Sequence, residues 1–267
     1  MFGSLVGVDL ERFWGVAEDG EVIEVAVAAS LVAELDRRWP PLGLDRRREP
    51  ATPVVARVGL SNEWVIVPDV DESGDSPPPI AWDLLESTLT LFAVPRLARL
   101  VAVHSAAIAY GGRVLVVPAV SGGGKSTLSI AAVESGALLL SDEYTLIDPT
   151  TGLVRGWRRP VKRICTDGTT ERLDLATPSA PLPVGLIAAV AYDAAGTGTW
   201  RSISAGEAIV KLMAHCVCAR TRPDDALTAV LAVARSAPAV AGGRPDAAEA
   251  VEALLELMMS DSGVGGS

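Results

Sequence analysis

The stretch Val114-Leu-Val-Val-Pro-Ala-Val-Ser-Gly-Gly-Gly-Lys-Ser-Thr-Leu-Ser-Ile-Ala-Ala-Val-Glu134 constrains this chain more than any other. A β-branched apolar run ends in successive glycines, and these open directly into a segment with helical character. Strand, glycine-rich turn and helix in that order form the context of a phosphate-binding loop. Gly122, Gly123 and Gly124 can turn successive N–H groups inward around an anion. The helix that follows adds unpaired N–H groups and the positive end of its dipole. In such a loop Lys125 reaches the β- and γ-phosphates, and the Ser126 hydroxyl holds Mg²⁺. Ser121 and Thr127 flank these residues and complete the expected cradle. Ala119 stands where the Gly-x-x-x-x-Gly-Lys-Ser/Thr pattern has its first glycine. The loop therefore keeps the glycines nearest the phosphate and lacks the one that eases the chain out of the strand.

Composition sharpens the reading. The chain has only three lysines, Lys125, Lys162 and Lys211, so a lysine placed directly after three glycines is hard to ascribe to chance. A net charge of −10 argues against general nucleic-acid or anionic-membrane binding, both of which need a basic footprint. Apolar residues at 49% support a sizeable core, which must rest on Ala, Val, Leu and Ile because aromatics make up 4%. Cys165, Cys216 and Cys218 have no metal-site spacing and read as free thiols in a reducing cytosol. No leader and no membrane-length apolar run is visible, so the expected location is cytoplasmic.

Around the loop, the spacing predicts an α/β chain with a small N-terminal α+β unit over residues 1–68. A linker rich in Asp, Ser and Pro follows at 69–79, then a main domain over 80–259 and a disordered tail at 260–267. In the first unit, Ser4–Leu10, Phe13–Ala17, Val22–Val27 and Asn62–Val67 read as strands. Ala28–Trp39 reads as a helix, and Arg46–Arg48 as a solvated loop. Ile80–Val103 is helical until Pro95 interrupts it. Val101–Tyr110, Gly111-Gly112 and Arg113–Val117 form a β-hairpin whose second strand feeds the loop, which puts His104 on the neighbouring strand. The loop helix is expected to stop near Gly136. The short strand Ala137–Leu140 should run parallel to the loop strand and end in Ser141-Asp142-Glu143. Carboxylates there can orient Mg²⁺ or accept a proton from an attacking hydroxyl. Tyr144–Trp157 makes a second hairpin. Leu182–Tyr192 is a strand, and Gly206–Cys218 has helical spacing, on which His215 reads as structural. Further helices are expected at Asp225–Ala234 and Pro245–Met259. The basic run Arg158, Arg159, Lys162 and Arg163 suits either an acidic ligand or a solvated strand edge.

Val103-His104-Ser105, the Gly111-Gly112 hairpin, Val120–Ser126 and Leu140-Ser-Asp-Glu143 together resemble the catalytic core of bacterial HPr serine kinase/phosphorylases and their relatives. These motifs lie within residues 100–150. The resemblance implies a mixed, hairpin-rich sheet carrying the loop, as in the phosphoenolpyruvate carboxykinase/HPr kinase-like fold. It implies ATP and Mg²⁺ as cofactors and catalysis by Asp142, His104 and Lys125. Asp142 matches the family's base for the substrate serine, His104 the histidine near that base, and Glu143, with Ser126, the metal side. Divergent actinobacterial relatives, including kinases of the C-terminal serine of lasso peptides, are similar in size. The expected activity is phosphoryl transfer to a hydroxyl of a peptide, small protein or small molecule. No nucleic-acid or membrane partner is expected, while a homo-oligomer stays open. The alternatives are a non-catalytic nucleotide-binding regulator or peptide-binding protein, motivated by Ala119, and an ATPase coupled to conformational change.

Overall fold

The structure is a computed structural model and describes residues 10–39, 43–52, 54–60, 65–66, 78–119, 123–157, 160–165, 169–193 and 198–260. It is a mixed α/β protein with six α-helices among these residues. The chain divides into two compact units, Met1–Ala98 and Arg99–Ser267.

The first unit contains β1 (Leu10–Ala17), β2 (Val22–Ala28), α1 (Val32–Arg38), β3 (Leu44–Arg47), β4 (Val54–Leu60), β5 (Val65–Ile66) and α2 (Pro78–Ala93). Its sheet has the order β3-β1-β2-β4-β5, with β2 and β4 parallel and the other neighbours antiparallel. Trp82, Leu85, Leu89 and Phe92 of α2 join Phe13, Ile23, Val25, Val27 and Val58 in one core. This corrects the expected boundary. A helix expected to open the second domain belongs to the first unit, because its apolar stripe is buried on that unit's sheet. Pro95 lies in a single 3-10 turn after α2, so the helix ends where proline removes the next backbone donor. The run Arg46–Arg48 is not a plain solvated loop: Arg46 belongs to β3 and its guanidinium lies 4.1 Å from the Phe13 ring centroid. The expected strand at Ser4–Leu10 lies outside the described residues except for Leu10. So does the expected linker, except for Pro78 and Pro79, which open α2. Residues 261–267, most of the expected tail, also fall outside.

The second unit contains β6 (Val101–Tyr110), β7 (Arg113–Pro118), α3 (Lys125–Glu134), β8 (Leu138–Ser141), β9 (Tyr144–Ile147), β10 (Val154–Arg155), β11 (Val161–Ile164) and β12 (Thr170–Leu173). After these come β13 (Val184–Tyr192), β14 (Arg201–Ser202), α4 (Ala205–Met213), α5 (Pro223–Ser236), β15 (Ala239–Arg244) and α6 (Ala247–Ser260). Its main sheet runs β10-β9-β6-β7-β13-β15-β14, with β8 also on β6; β11 and β12 form a separate ribbon. β7, β13 and β15 are parallel to one another, and β6 runs antiparallel to its neighbours. The central strands are apolar on both sides, as sheets covered on both faces require. One face packs Val114, Val116 and Ile187 with Leu212, Val230 and Val233 from α4 and α5. The other packs Leu115, Val117 and Leu186 with Leu128, Ala132, Val251 and Leu254 from α3 and α6.

The expected hairpin forms at β6–β7, where Gly111 and Gly112 have φ of 57° and 76°. Two successive positive φ values make the turn whose twist matches its strands. The second hairpin, β9–β10, also forms. β8 has the direction expected of it but does not pair with β7: β6 lies between them, antiparallel to both.

Candidate active site

The antiparallel placement of β6 decides what meets at the loop. Its first half lies at the carboxyl ends of β7 and β8, so His104, near its start, sits level with the point where β7 ends. Ser105 pairs with Pro118 of β7 on one side. On the other side His104 pairs with Tyr144 and Ala107 pairs with Ser141. Asp142 and Glu143 are the turn between β8 and β9, both of which pair with β6. The Ser105 N–H donates to the Glu143 carbonyl at 3.1 Å, which pins that turn to the strand. The Ser141 hydroxyl accepts from the N–H groups of Glu143 and Tyr144, at 3.2 and 3.0 Å. Ser105 itself is fully buried, and its hydroxyl shares a 2.6 Å hydrogen bond with the Thr145 hydroxyl. Polar side chains thus hold β6, which carries His104, to β9, which follows the turn that carries Asp142.

From the loop side, α3 begins at Lys125 after Gly124, whose φ of 77° lies in the left-handed region. Ser126 Oγ donates to Asp142 Oδ2 at 2.9 Å, a direct link between the loop helix and the acidic turn. Lys125 is buried, and its Nζ donates to the Ala119 carbonyl at 2.8 Å. Burial lowers the Lys125 pKa, and the negative charge of Asp142 opposes that shift. The pKa of His104 is lowered by burial first, then by the positive charge of Lys125 and by His215. Lys125, Ser126, Asp142 and His104 therefore share one electrostatic neighbourhood. Tyr144 has its ring centroid 5.6 Å from that of His104, and burial raises its pKa.

Among the expected cradle residues, Gly123, Gly124, Lys125, Ser126 and Thr127 lie in the described residues, whereas Ser121 and Gly122 lie outside them. Glu143 is positioned through its backbone, as above. Arg158 and Arg159 lie outside the described residues. Arg163 of β11 forms an ion pair with Glu134 of α3 at 2.9 Å, so this arginine of the basic run braces the loop helix.

Two residues enter the site that sequence reasoning did not place there. His215, taken for a structural histidine, accepts the His104 N–H through its carbonyl at 2.8 Å. The two rings have centroids 6.5 Å apart, and burial followed by the Lys125 charge lowers the His215 pKa. Arg244, the last residue of β15, is 3% exposed and donates through Nη2 to the Gly124 carbonyl at 3.3 Å. It also stacks over Tyr192, 5.5 Å from the ring centroid. Its only sequence signal was an arginine at the carboxyl end of a strand in an α/β sheet, where ligands gather.

The donors at the junction are a hydroxyl and a carboxylate, which suit a hard cation such as Mg²⁺. Among the described residues, no group of three or more His, Cys, Asp or Glu side chains is arranged to enclose a metal. No helix among them is long and apolar enough to cross a membrane. Neither a protein-family model nor a curated protein matches this chain.

Proposed function

We propose that this chain is an ATP- and Mg²⁺-dependent kinase that transfers the γ-phosphoryl group to a hydroxyl, preferably serine, of a peptide, small protein or amino acid. The main sheet with its hairpins is read as a phosphate-loop fold of the HPr kinase/phosphoenolpyruvate carboxykinase kind. The reading rests chiefly on the 2.9 Å hydrogen bond between Ser126 and Asp142. It brings the first helical turn after a glycine loop against a carboxylate that the chain positions independently from β8 and β9. A plain anion site needs no such carboxylate, since it would repel the ligand. A transfer site needs one to accept the proton of the attacking hydroxyl.

Residues are assigned as follows. The N–H groups of the loop and the first turn of α3 hold phosphate oxygens. Lys125 leaves the Ala119 carbonyl for the β- and γ-phosphates, a swap of one oxygen acceptor for a charged one. Asp142 accepts the proton of the acceptor hydroxyl. His104, held mainly neutral by its surroundings, donates or accepts a hydrogen bond beside that carboxylate without adding a repelling charge to Lys125. Mg²⁺, which Ser126 and Glu143 would hold, would neutralise charge that builds on the transferred group. Arg244 keeps the end of the loop in place through Gly124.

The test is incubation of the protein with labelled ATP, Mg²⁺ and acceptors: peptides ending in serine, small proteins and free serine. Wild type should label an acceptor, while Lys125→Ala and Asp142→Asn should each lower transfer by about 10²–10⁴-fold. Equal labelling by the variants would refute the assignment. ATP binding without transfer to any acceptor would instead assign the non-catalytic regulator.

A further inference from the structure

We propose that Cys216 and Cys218 form a peroxide-reactive dithiol site, and that its closure to a disulfide resets the neighbouring His104–His215 pair. The two Sγ atoms are 3.9 Å apart and share a thiol hydrogen bond in the buried turn after α4. Disulfide formation needs them at about 2.0 Å with a near-perpendicular dihedral. The approach is therefore short, but it requires the Cys216–Cys218 backbone or side chains to turn.

What that turn would disturb is visible in the hydrogen bonding. β7 pairs with β6 only as far as Ser105, where it leaves for the glycine loop. Beyond that point the free edge of β6 is taken by residues 215–217. The His104 N–H donates to the His215 carbonyl at 2.8 Å, and the Val217 N–H donates to the Ala102 carbonyl at 2.9 Å. Cys216 forms an isolated antiparallel bridge with Val103. Cys216 thus follows His215 directly and pairs with Val103, the neighbour of His104, so it is next in sequence to one of the chain's two histidines and across a strand pairing from the other. Moving Cys216 strains both bonds that fix residues 102–104.

The chemistry favours Cys218 as the first sulfur to react. The hydrogen bond shared with Cys216 lowers the Cys218 pKa below that of an ordinary thiol against the opposing effect of burial, and the Arg222 charge helps. The same hydrogen bond, with burial, raises Cys216. Cys218 is thus the readier of the two to react as a thiolate. Hydrogen peroxide, small enough to reach a buried turn that opens locally, is attacked by the Cys218 thiolate. The O–O bond breaks, a Cys218 sulfenic acid forms and hydroxide leaves. The Cys216 sulfur then attacks Cys218 Sγ and displaces the sulfenic oxygen, which departs as water with the thiol proton. In total, one peroxide and two thiols give one disulfide and two waters, and an added dithiol reverses the step.

This inference uses the phosphotransfer reading only for its effect on activity. The experiment therefore has two readouts. The full-length protein is treated with hydrogen peroxide, examined by intact mass and peptide mapping, and its two histidine side chains are followed by NMR. Expected is a species lighter by two hydrogens with a Cys216–Cys218 linkage. Both imidazole signals should move with it and return on reduction by dithiothreitol. Cys216→Ala and Cys218→Ala should each abolish the linkage and the reversible shift, whereas Cys165→Ser should keep both. Where wild type transfers phosphate, the oxidised form should do so about 10²-fold more slowly, the cost of misplacing a group near the reacting centre. Oxygen-added products without the linkage, or a linkage that leaves both imidazoles unmoved, would overturn the proposal. A moved histidine pair in a protein that transfers no phosphate would sink the kinase reading and leave this one standing.

Discussion

Gly124→Ala probes the tie between the loop and β15. Gly124 has φ of 77°, a conformation that costs an ordinary L-residue roughly 1–2 kcal/mol. A Cβ at this position would also collide with the Arg244 guanidinium, which is 3% exposed and bonded to the Gly124 carbonyl at 3.3 Å. Evicting it forfeits a charged hydrogen bond, on the order of 1.5–3 kcal/mol. The expected total is about 2.5–5 kcal/mol. A double-mutant cycle with Arg244→Ala separates the two parts. Gly124→Ala already breaks the bond, so the double variant should be milder than the sum of the singles by roughly 0.5–3 kcal/mol. Native-state hydrogen exchange at the buried amides of β7 and β13 reads the second unit alone. Costs that add to within about 0.3–0.5 kcal/mol would show that Arg244 does not brace the loop.

Two further outcomes are expected. Burial and the Lys125 charge lower the pKa of both histidines, so the folded chain holds them neutral more firmly than the unfolded chain does. Stability from this source is full above about pH 6.5 and is lost as pH falls from there through the depressed values. Urea midpoints should drop across that window, and a His104→Gln/His215→Gln double variant should flatten the drop; an unchanged drop would refute the linkage. Ser105→Ala removes a fully buried hydroxyl bonded to Thr145 Oγ1 at 2.6 Å and to the Val103 carbonyl at 3.0 Å. It should cost about 1–3 kcal/mol in chemical denaturation. A variant as stable as wild type would mean that this hydroxyl does not hold β6 against β9.

Legibility followed the range of the interactions involved. The β6–β7 hairpin was visible because Gly111 and Gly112 report a local backbone requirement, and α3 because its start follows a glycine turn and its end precedes Gly136. The nearness of Asp142 to the loop was visible because a short strand leads straight to it. α2 was recognised as a helix but assigned to the wrong unit. Apolar periodicity tells which face is buried and not which sheet buries it, and only the shared core with Phe13 and Val25 decides that. His215 and Arg244 were missed for the same reason. Each reaches the site across a strand pairing between segments distant in the chain, His215 through β6 and Arg244 at the end of β15.

The position of His215 changes how the site must be understood. A glycine loop that leaves the sheet at Pro118 abandons the edge of β6 where His104 lies, and an unpaired edge beside a charged site would admit water and slip in register. Residues 215–217 take over that edge, so the orientation of His104 depends on a turn after α4 as much as on its own strand. Burial depresses the pKa of both histidines and the Lys125 charge depresses them further, while Asp142 sustains that charge, so Lys125 ties the arrangement together electrostatically. Neutralising Lys125 should therefore raise the pKa of both imidazoles. A lysine that merely filled space beside the loop would alter neither, and NMR titration of the two histidines in Lys125→Met distinguishes the cases without any assay of phosphate transfer.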